Sequence, residues 1–182
     1  MIRSDLRAIP GYVPGARHDD ALKLSSNEAT QPPLPEAAEA MARAAAEANR
    51  YPDIAATELR EDLAEHLGVS FDQVAVGTGS SALCQQLVQI TTTPGEEVIF
   101  PWRSFEAYPI FAQVVGARPI PVPLDADQRV DLAAMAEKIT ADTRLIFVCN
   151  PNNPSGTTVT KAEFAEFMDA VPSDVLVALD EA

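Results

Sequence analysis

Residues 144–156 read RLIFVCNPNNPSG, and this stretch decides what kind of fold the chain adopts. The apolar run from Leu145 to Cys149 has the length of a buried strand. Two prolines and a glycine in the next seven residues fix an irregular backbone, and three asparagine side chains there can both donate and accept hydrogen bonds. The stretch therefore predicts a buried strand that ends in a rigid polar loop.

Strands and helices alternate on both sides of this stretch. Further strands are predicted at residues 73–77, 97–100, 118–122 and 174–180, and helices at residues 34–49, 56–67, 80–92, 105–115, 132–139 and 161–168. Such alternation is typical of an α/β fold whose sheet is largely parallel and flanked by helices. Residues 1–34 contain four prolines and are predicted to form an N-terminal arm.

The composition narrows the class of partner. Lys and Arg number 13 against 27 Asp and Glu, and the resulting net charge of −14 argues against binding nucleic acid or an anionic membrane surface. The apolar runs are too short to span a bilayer, and the N-terminus has no segment typical of a secretory signal. The two cysteines make neither a disulfide framework nor a metal cluster, so no metal site is predicted. These features indicate a cytoplasmic protein with buried, reduced cysteines.

Residues 77–82, which read GTGSSA, lie between a predicted strand and a predicted helix. The glycines permit a tight turn, and the serines and backbone N–H groups at a helix N-terminus form a site suited to a phosphate. The lysine of a nucleoside triphosphate loop is absent. The string also fits the Gly-x-Gly-x-x-Ala pattern of dinucleotide-binding folds, and Arg103 after the next strand is suited to a 2′-phosphate. On these residues alone, an NADP-dependent reductase and a helix cap without ligand both remain open.

Asp180 is predicted at the end of an apolar strand, at the sheet edge where open α/β folds bind ligands. A carboxylate in this position is costly unless it meets a partner. The alternative is an acid that simply turns to solvent. Because the sequence ends two residues later, at Ala182, we expect a chain cut from a longer protein.

The motif Asn-Pro-Asn-Asn-Pro-Ser-Gly at residues 150–156, followed by Asp-Glu-Ala at 180–182, resembles the fold-type-I pyridoxal-phosphate aminotransferases. The most similar branch contains the histidinol-phosphate and aromatic (phenylalanine) aminotransferases. The resemblance extends over nearly the whole chain, including residues 23–28, 49–53 and 103–109. It implies that residues 35–182 form the first part of a large coenzyme-binding domain, with pyridoxal 5'-phosphate as the cofactor.

The resemblance implies which residues hold the coenzyme. In the family the strand–helix loop binds the coenzyme phosphate, which here implicates Gly79, Ser80 and Ser81. Phe105 matches the aromatic residue that stacks on the pyridine ring, and Asp180 matches the acid that pairs with the pyridine nitrogen. A carboxylate there favours the protonated ring, which acts as the electron sink of the reaction.

Three further residues have roles implied by the resemblance. Asn153 matches the asparagine that bonds the ring oxygen of the coenzyme, and Asn27 in the arm matches a position near the substrate. Tyr51 matches a tyrosine that reaches the coenzyme phosphate of the neighbouring subunit. A homodimer is therefore implied.

The lysine that holds the coenzyme in this family is expected beyond Ala182. Lys23, Lys138 and Lys161 stand in no matching context and are interpreted as solvated surface charges. The chain alone is therefore predicted to be inactive.

Departures from the family pattern favour the aromatic branch. Residues 27–30 read Asn-Glu-Ala-Thr instead of Asn-Glu-Asn-Pro, Phe105 stands where tyrosine is frequent, and Trp102-Arg103 is unusual for the histidinol-phosphate enzymes. The predicted function of the full-length parent is transfer of an amino group from phenylalanine or tyrosine to 2-oxoglutarate. Histidinol-phosphate aminotransferase is the alternative, and an NADP-dependent reductase or a non-catalytic coenzyme-binding module are remoter ones.

Overall fold

The computed structural model describes residues 3–9, 11, 20–22 and 26–182. Part of the predicted arm, including Lys23 and its two neighbours in the stretch 23–28, lies outside the described residues. The chain divides into two compact units, one built mainly from Val76–Ala182 and the other within Pro10–Ala75. Each unit is described by itself.

The unit that contains residues 76–182 is built on a four-stranded sheet. Its strands are β1 (Glu97–Trp102), β2 (Arg118–Pro123), β3 (Thr143–Cys149) and β4 (Leu176–Asp180). They lie in the order β2-β1-β3-β4, and every neighbouring pair is parallel. The predicted α/β fold with a largely parallel sheet is confirmed.

Helices connect the strands, as parallel pairing requires. The helices among the described residues are α1 (Pro35–Ala46), α2 (Thr57–Leu67), α3 (Ser80–Thr91), α4 (Tyr108–Val115), α5 (Leu132–Ala136) and α6 (Lys161–Ala170), with 3-10 turns at Ser4–Ala8 and Phe71–Gln73. α6 begins with a capping box, in which the Thr160 hydroxyl accepts from the Glu163 N–H and the Glu163 carboxylate accepts from the Thr160 N–H.

The two faces of the sheet bury different side chains, because successive residues of a strand point to opposite sides. One core, which includes residues of α3 and α4, contains the strand residues Val98, Phe100, Leu145 and Phe147. The other core, which includes residues of α5 and α6, contains the strand residues Ile99, Val122, Ile146 and Val148. β1 and β3 are therefore buried on both faces, and each fully buried side chain of this size contributes roughly 1.5–3 kcal/mol.

The prediction of a strand at residues 73–77 is wrong. The segment starts in the 3-10 turn Phe71–Gln73, is extended at Val74, and forms no strand as far as Gly77. Extended backbone becomes a strand only when a neighbour supplies hydrogen-bond partners. None of the four strands in the described residues pairs with this segment.

The helix predicted to begin at Phe105 begins instead at Tyr108. Pro109 explains the difference because proline has no N–H to donate and is tolerated only in the first turn of a helix. A helix that began at Phe105 would place Pro109 where its nitrogen should donate to the Phe105 carbonyl. The residues from Phe105 to Ala107 form a turn that precedes α4.

In the unit within residues 10–75, one arginine ties a helix to the turn that follows it. The Arg60 guanidinium on α2 donates to the carbonyls of Val74 at 2.8 Å and Phe71 at 3.1 Å. It also lies over the Phe71 ring, 3.8 Å from the centroid. α2 ends at Gly68, whose φ of 68° is the left-handed conformation that favours glycine.

Candidate active site

The carboxyl ends of the parallel strands lie at one edge of the sheet, and the polar segments singled out from the sequence follow two of them. Cys149, the last residue of β3, pairs with Asp180, the last residue of β4. The Asn150 N–H donates to the Asp180 carbonyl at 2.9 Å. The loop of residues 150–156 and the Asp180 side chain therefore start from adjacent positions.

The Asp180 carboxylate is bonded within the protein and does not simply turn to solvent. Its Oδ2 accepts from the Tyr108 hydroxyl at 2.6 Å and lies 3.9 Å from the Cys84 Sγ. Its Oδ1 accepts from the Ala182 N–H at 3.1 Å. The acid is thus held at the sheet edge by side chains from α3 and α4.

Tyr108 and Cys84 are neutral donors beside this carboxylate. Burial raises the pKa of the Tyr108 hydroxyl far above its ordinary range, and the hydrogen bond to Asp180 acts in the same direction. Burial, together with the negative charge of Asp180, raises the pKa of the Cys84 thiol to about 11. Both groups keep their protons at neutral pH.

Sequence reasoning missed both of these partners. The sequence indicates only that the two cysteines, of which Cys84 is one, are buried and reduced, and it includes Tyr108 only in the family-like stretch 103–109. A signal for Tyr108 was available, because a tyrosine in an apolar helix must find a hydrogen-bond partner when it is buried. Which partner it finds depends on tertiary structure.

The N-terminus of α3 is open at Gly79. Gly79 is the N-cap residue with φ 79°, and no side chain caps the helix there. A Cβ placed on Gly79 would meet nothing within 4 Å, and the side chains of Ser80 and Ser81 are exposed. Helix N–H groups and two hydroxyls next to open space are an arrangement suited to an anion, and phosphate binding at these residues stays a prediction.

One cavity joins this helix end to the acid. It has a volume of about 330 Å³, and its lining includes Ser80, Cys84, Phe147 and Asp180. The structure therefore brings one end of the predicted phosphate loop and Asp180 to the same cavity.

The asparagine-rich loop is braced by two of its own amides. The Asn150 side chain donates to the Val159 carbonyl at 3.2 Å and accepts from the Val159 N–H at 3.0 Å. The Asn152 side chain is buried and donates to the Arg103 carbonyl at 3.2 Å and to Ser155 Oγ at 2.8 Å. Asn153, the next residue after Asn152, is half-exposed.

Two buried oxygens near this loop have no hydrogen-bond partner within the described residues, namely Ser104 Oγ and Asn152 Oδ1. Ser104 follows Arg103 in the chain, and the Arg103 carbonyl accepts from the Asn152 amide nitrogen. Buried polar groups normally have hydrogen-bond partners, so these two oxygens are exceptions within the described residues.

Phe105 stands directly before α4 and is half-buried. Its ring meets the Tyr108 ring edge-on, with centroids 5.4 Å apart and an interplanar angle of 87°. Tyr108 in turn stacks on Phe147 at 4.4 Å and 8°. The Phe105 ring is therefore held by the same side chain that holds Asp180.

The remaining predicted residues lie in the other unit or on the surface. Tyr51 and Asn27 belong to the unit within residues 10–75. The Tyr51 side chain is fully exposed, and Asn27 adopts a φ of 49°, which asparagine tolerates. Lys138 and Lys161 are exposed.

Two classes of feature are not found in the part of the chain that the structure describes. No helix there is long and apolar enough to cross a bilayer. No group of three or more His, Cys, Asp or Glu side chains there is placed to hold a metal ion.

The chain belongs to the aminotransferase class I and II family, whose model matches residues 19–182. It is 70% identical over 182 residues to the aromatic amino acid aminotransferase of Corynebacterium diphtheriae, and 55% identical over 185 residues to the protein of the same name from Streptomyces coelicolor. Both matches cover 100% of this chain but only 53% and 52% of the two relatives. The chain thus spans about half the length of the curated relatives it matches.

Solved structures agree with this family. The histidinol-phosphate aminotransferase from Sinorhizobium meliloti, solved in complex with pyridoxal-5'-phosphate, matches with a TM-score of 0.78 at 29% identity, over 82% of this chain and 41% of that one. The alanine aminotransferase from Pyrococcus furiosus matches with a TM-score of 0.76 at 25% identity, over 84% and 42%. Membership of this family argues against the dinucleotide interpretation of residues 77–82.

Proposed function

We propose that the full-length protein is a pyridoxal-phosphate-dependent aminotransferase that moves the amino group of an aromatic amino acid to 2-oxoglutarate. The observation that carries this proposal is the Asp180 carboxylate, which shares a cavity with the open N-terminus of α3. The choice of aromatic substrates is supported by relatives of that name, which are 55–70% identical across the whole chain.

The residues present fit the coenzyme. Its phosphate is an anion, and Gly79, Ser80 and Ser81 offer N–H groups and hydroxyls around open space. Its ring is flat, and the Phe105 ring, which packs edge-on against Tyr108, is an aromatic surface suited to stack on it. Its ring nitrogen is cationic when protonated, and the Asp180 carboxylate is an acceptor of opposite charge.

When bound, the coenzyme supplies an electron sink for the charge that develops at the α-carbon of the substrate. This chain supplies the groups that bind and orient it. Asp180 would pair with the ring nitrogen, Phe105 would stack on the ring, and the Asn153 amide would donate to the ring oxygen. We assign the proton-transferring lysine to the part of the full-length protein that follows Ala182.

The proposal extends to assembly and location. We propose a homodimer in which Tyr51 reaches the coenzyme phosphate of the partner subunit, with Asn27 near the substrate. The exposed side chains of Tyr51 and Ile54 support a contact surface in that unit. Residues 1–34 would act as the arm and residues 35–182 as the first part of the large domain. Two free cysteines that are both buried support a reducing, cytoplasmic location.

The test uses the full-length protein and pyridoxal phosphate. We expect a visible absorption band on addition of the coenzyme and covalent fixation of the coenzyme by borohydride. We further expect kcat/KM for phenylalanine or tyrosine to exceed that for histidinol phosphate by at least about tenfold, which corresponds to roughly 1.4 kcal/mol. A protein that stays colourless with pyridoxal phosphate would contradict the proposed coenzyme. A higher kcat/KM for histidinol phosphate would contradict the proposed aromatic substrate.

A further inference from the structure

Tyr108 contacts two residues that the proposed function places around the coenzyme ring. Its hydroxyl donates to Asp180 Oδ2 at 2.6 Å, and its ring meets the Phe105 ring edge-on at 5.4 Å. We propose that Tyr108 is a positioning residue, which fixes the Asp180 carboxylate and the Phe105 ring in the geometry that the coenzyme requires. This inference rests on the proposed function, because it concerns the same site.

The Tyr108 side chain has little freedom to move. It is fully buried, and its ring stacks on Phe147 with centroids 4.4 Å apart and planes within 8°. Phe105 closes one edge of the ring, and Phe100 lies 6.1 Å away in the same core. A hydroxyl on such a fixed ring has a fixed position, so it defines where the carboxylate oxygen lies.

The hydrogen bond from Tyr108 distinguishes the two oxygens of the Asp180 carboxylate. Oδ2 carries the contacts with the Tyr108 hydroxyl and the Cys84 thiol. Oδ1 accepts from the Ala182 N–H, and a carboxylate oxygen has a further lone pair. The Tyr108 hydroxyl donates a hydrogen bond to Oδ2, so this bond uses one oxygen of the acid and leaves a lone pair of Oδ1 for the coenzyme nitrogen.

The Tyr108 hydroxyl and the Asp180 carboxylate also provide each other with a hydrogen-bond partner. A buried tyrosine hydroxyl without a partner loses its hydration with no return, and the same holds for a carboxylate at the end of an apolar strand. Loss of the hydroxyl removes the shortest of the contacts that hold the Asp180 carboxylate, whereas loss of Asp180 leaves the hydroxyl unpaired. The roles of the two residues are therefore coupled, and this coupling can be measured.

The first experiment compares Tyr108→Phe with wild type in the full-length protein. The change keeps the ring and removes only the hydroxyl. We expect the dissociation constant of pyridoxal phosphate to rise about tenfold and kcat to fall about tenfold, because one charge-assisted hydrogen bond is lost. We expect KM for the aromatic amino acid to change less than twofold, because the hydroxyl does not touch the substrate.

Thr92→Val is the matched control. Thr92 also has a buried hydroxyl with a short hydrogen bond, to the Val88 carbonyl at 2.6 Å, but it does not contact Asp180. This variant should lose thermal stability to a similar extent while coenzyme affinity and kcat stay within twofold of wild type. If Thr92→Val weakens the coenzyme as much as Tyr108→Phe does, the effect is general loosening of the core and the proposal is overturned.

A double-mutant cycle with Asp180→Ala gives an independent readout in the apoprotein. Tyr108→Phe should lower Tm in the wild-type background. It should not lower Tm in the Asp180→Ala background, where it removes an unpaired hydroxyl. Equal losses in both backgrounds would overturn the proposal. If the wild-type protein binds no pyridoxal phosphate, the proposed function is overturned. If the wild-type protein binds it and the Tyr108→Phe variant binds it equally well, only the role of Tyr108 is overturned.

Discussion

At the residue scale, the sheet holds a carboxylate near each end, and the two are satisfied in different ways. Glu97 at the start of β1 accepts from the hydroxyls of Thr140 and Thr143 and from the Arg118 guanidinium at 3.1 Å. Asp180 at the end of β4 meets the neutral donors of Tyr108 and Cys84, and no ion pair to it is found among the described residues. The charge of Asp180 therefore remains available to a cationic ligand.

Replacement of Asp180 by alanine should damage turnover more than folding. We expect kcat of the full-length enzyme to fall about a hundredfold, because a charge placed opposite a reacting group is worth several kcal/mol. Unfolding free energy should fall by only about 1–3 kcal/mol, the cost of leaving the Tyr108 hydroxyl unpaired. Steady-state kinetics and chemical denaturation measure the two effects.

Asp174→Ala is the matched control, because it removes the same charge from an exposed position just before the opposite end of β4. This variant should keep wild-type kcat and stability. Wild-type turnover in Asp180→Ala would remove the residue from the site, and equal losses in both variants would reduce its role to one of net charge.

At the element scale, the strands most accurately predicted from the sequence are those whose environment is uniform. β3 is apolar because both of its faces are buried, so its sequence alone identifies it. The segment 73–77 has similar residues, but a strand also needs a neighbour, which no local pattern reveals. The start of α4 was misplaced by three residues because apolar periodicity outweighed the restriction imposed by Pro109.

The N-terminus of α6 makes a pH-dependent contribution to stability through Glu163. Hydrogen bonds from Thr160 and the Arg129 guanidinium lower the pKa of this carboxyl from 4.5 to about 2. Because the pKa of Glu163 is lower in the folded state than in the unfolded state, its ionised carboxylate stabilises the protein at pH values above about 4.5. This contribution disappears as the pH falls from about 4.5 to about 2. Glu163→Gln should therefore destabilise the full-length protein at pH 7 and make progressively less difference towards pH 3.

Urea denaturation at pH 7, 5 and 3 measures this effect. Glu166→Gln is the control, since Glu166 is an exposed acid on the same helix and should make little difference at any of these pH values. A Glu163→Gln deficit that stays constant from pH 7 to pH 3 would contradict an electrostatic origin.

At the scale of the whole molecule, site residues that directly follow a strand could be predicted from the sequence, whereas contacts between residues far apart in the chain could not. Asp180 and the loop 150–156 each follow a recognisable strand, so their convergence at one sheet edge follows from parallel pairing. Phe105 and Asn153 could be assigned roles only through resemblance to a family. Tyr108 was missed because its partner is 72 residues away in sequence, and no spacing rule covers such a pair.

The proposed homodimer makes a prediction about Tyr51. Tyr51→Phe in the full-length protein should leave a dimer by sedimentation, because the ring is kept. It should raise the dissociation constant of pyridoxal phosphate about tenfold, because one hydrogen bond to a charged phosphate is lost. A monomeric wild type, or unchanged coenzyme affinity in the dimeric variant, would exclude a role for Tyr51 at the partner's site.

The contacts of Asp180 also bear on how the protein acquires its shape. The bond to Tyr108 closes a loop of 72 residues and the contact with Cys84 one of 96. The pairing of β1 with β3 joins Glu97 to Thr143, which are 46 residues apart. The entropy of closing such loops must be overcome before the contacts that hold them exist, which makes folding slow for topologies of this kind. We expect the contacts of the Asp180 side chain to form among the last events of folding. Affinity for the coenzyme would then report that the polypeptide has finished folding.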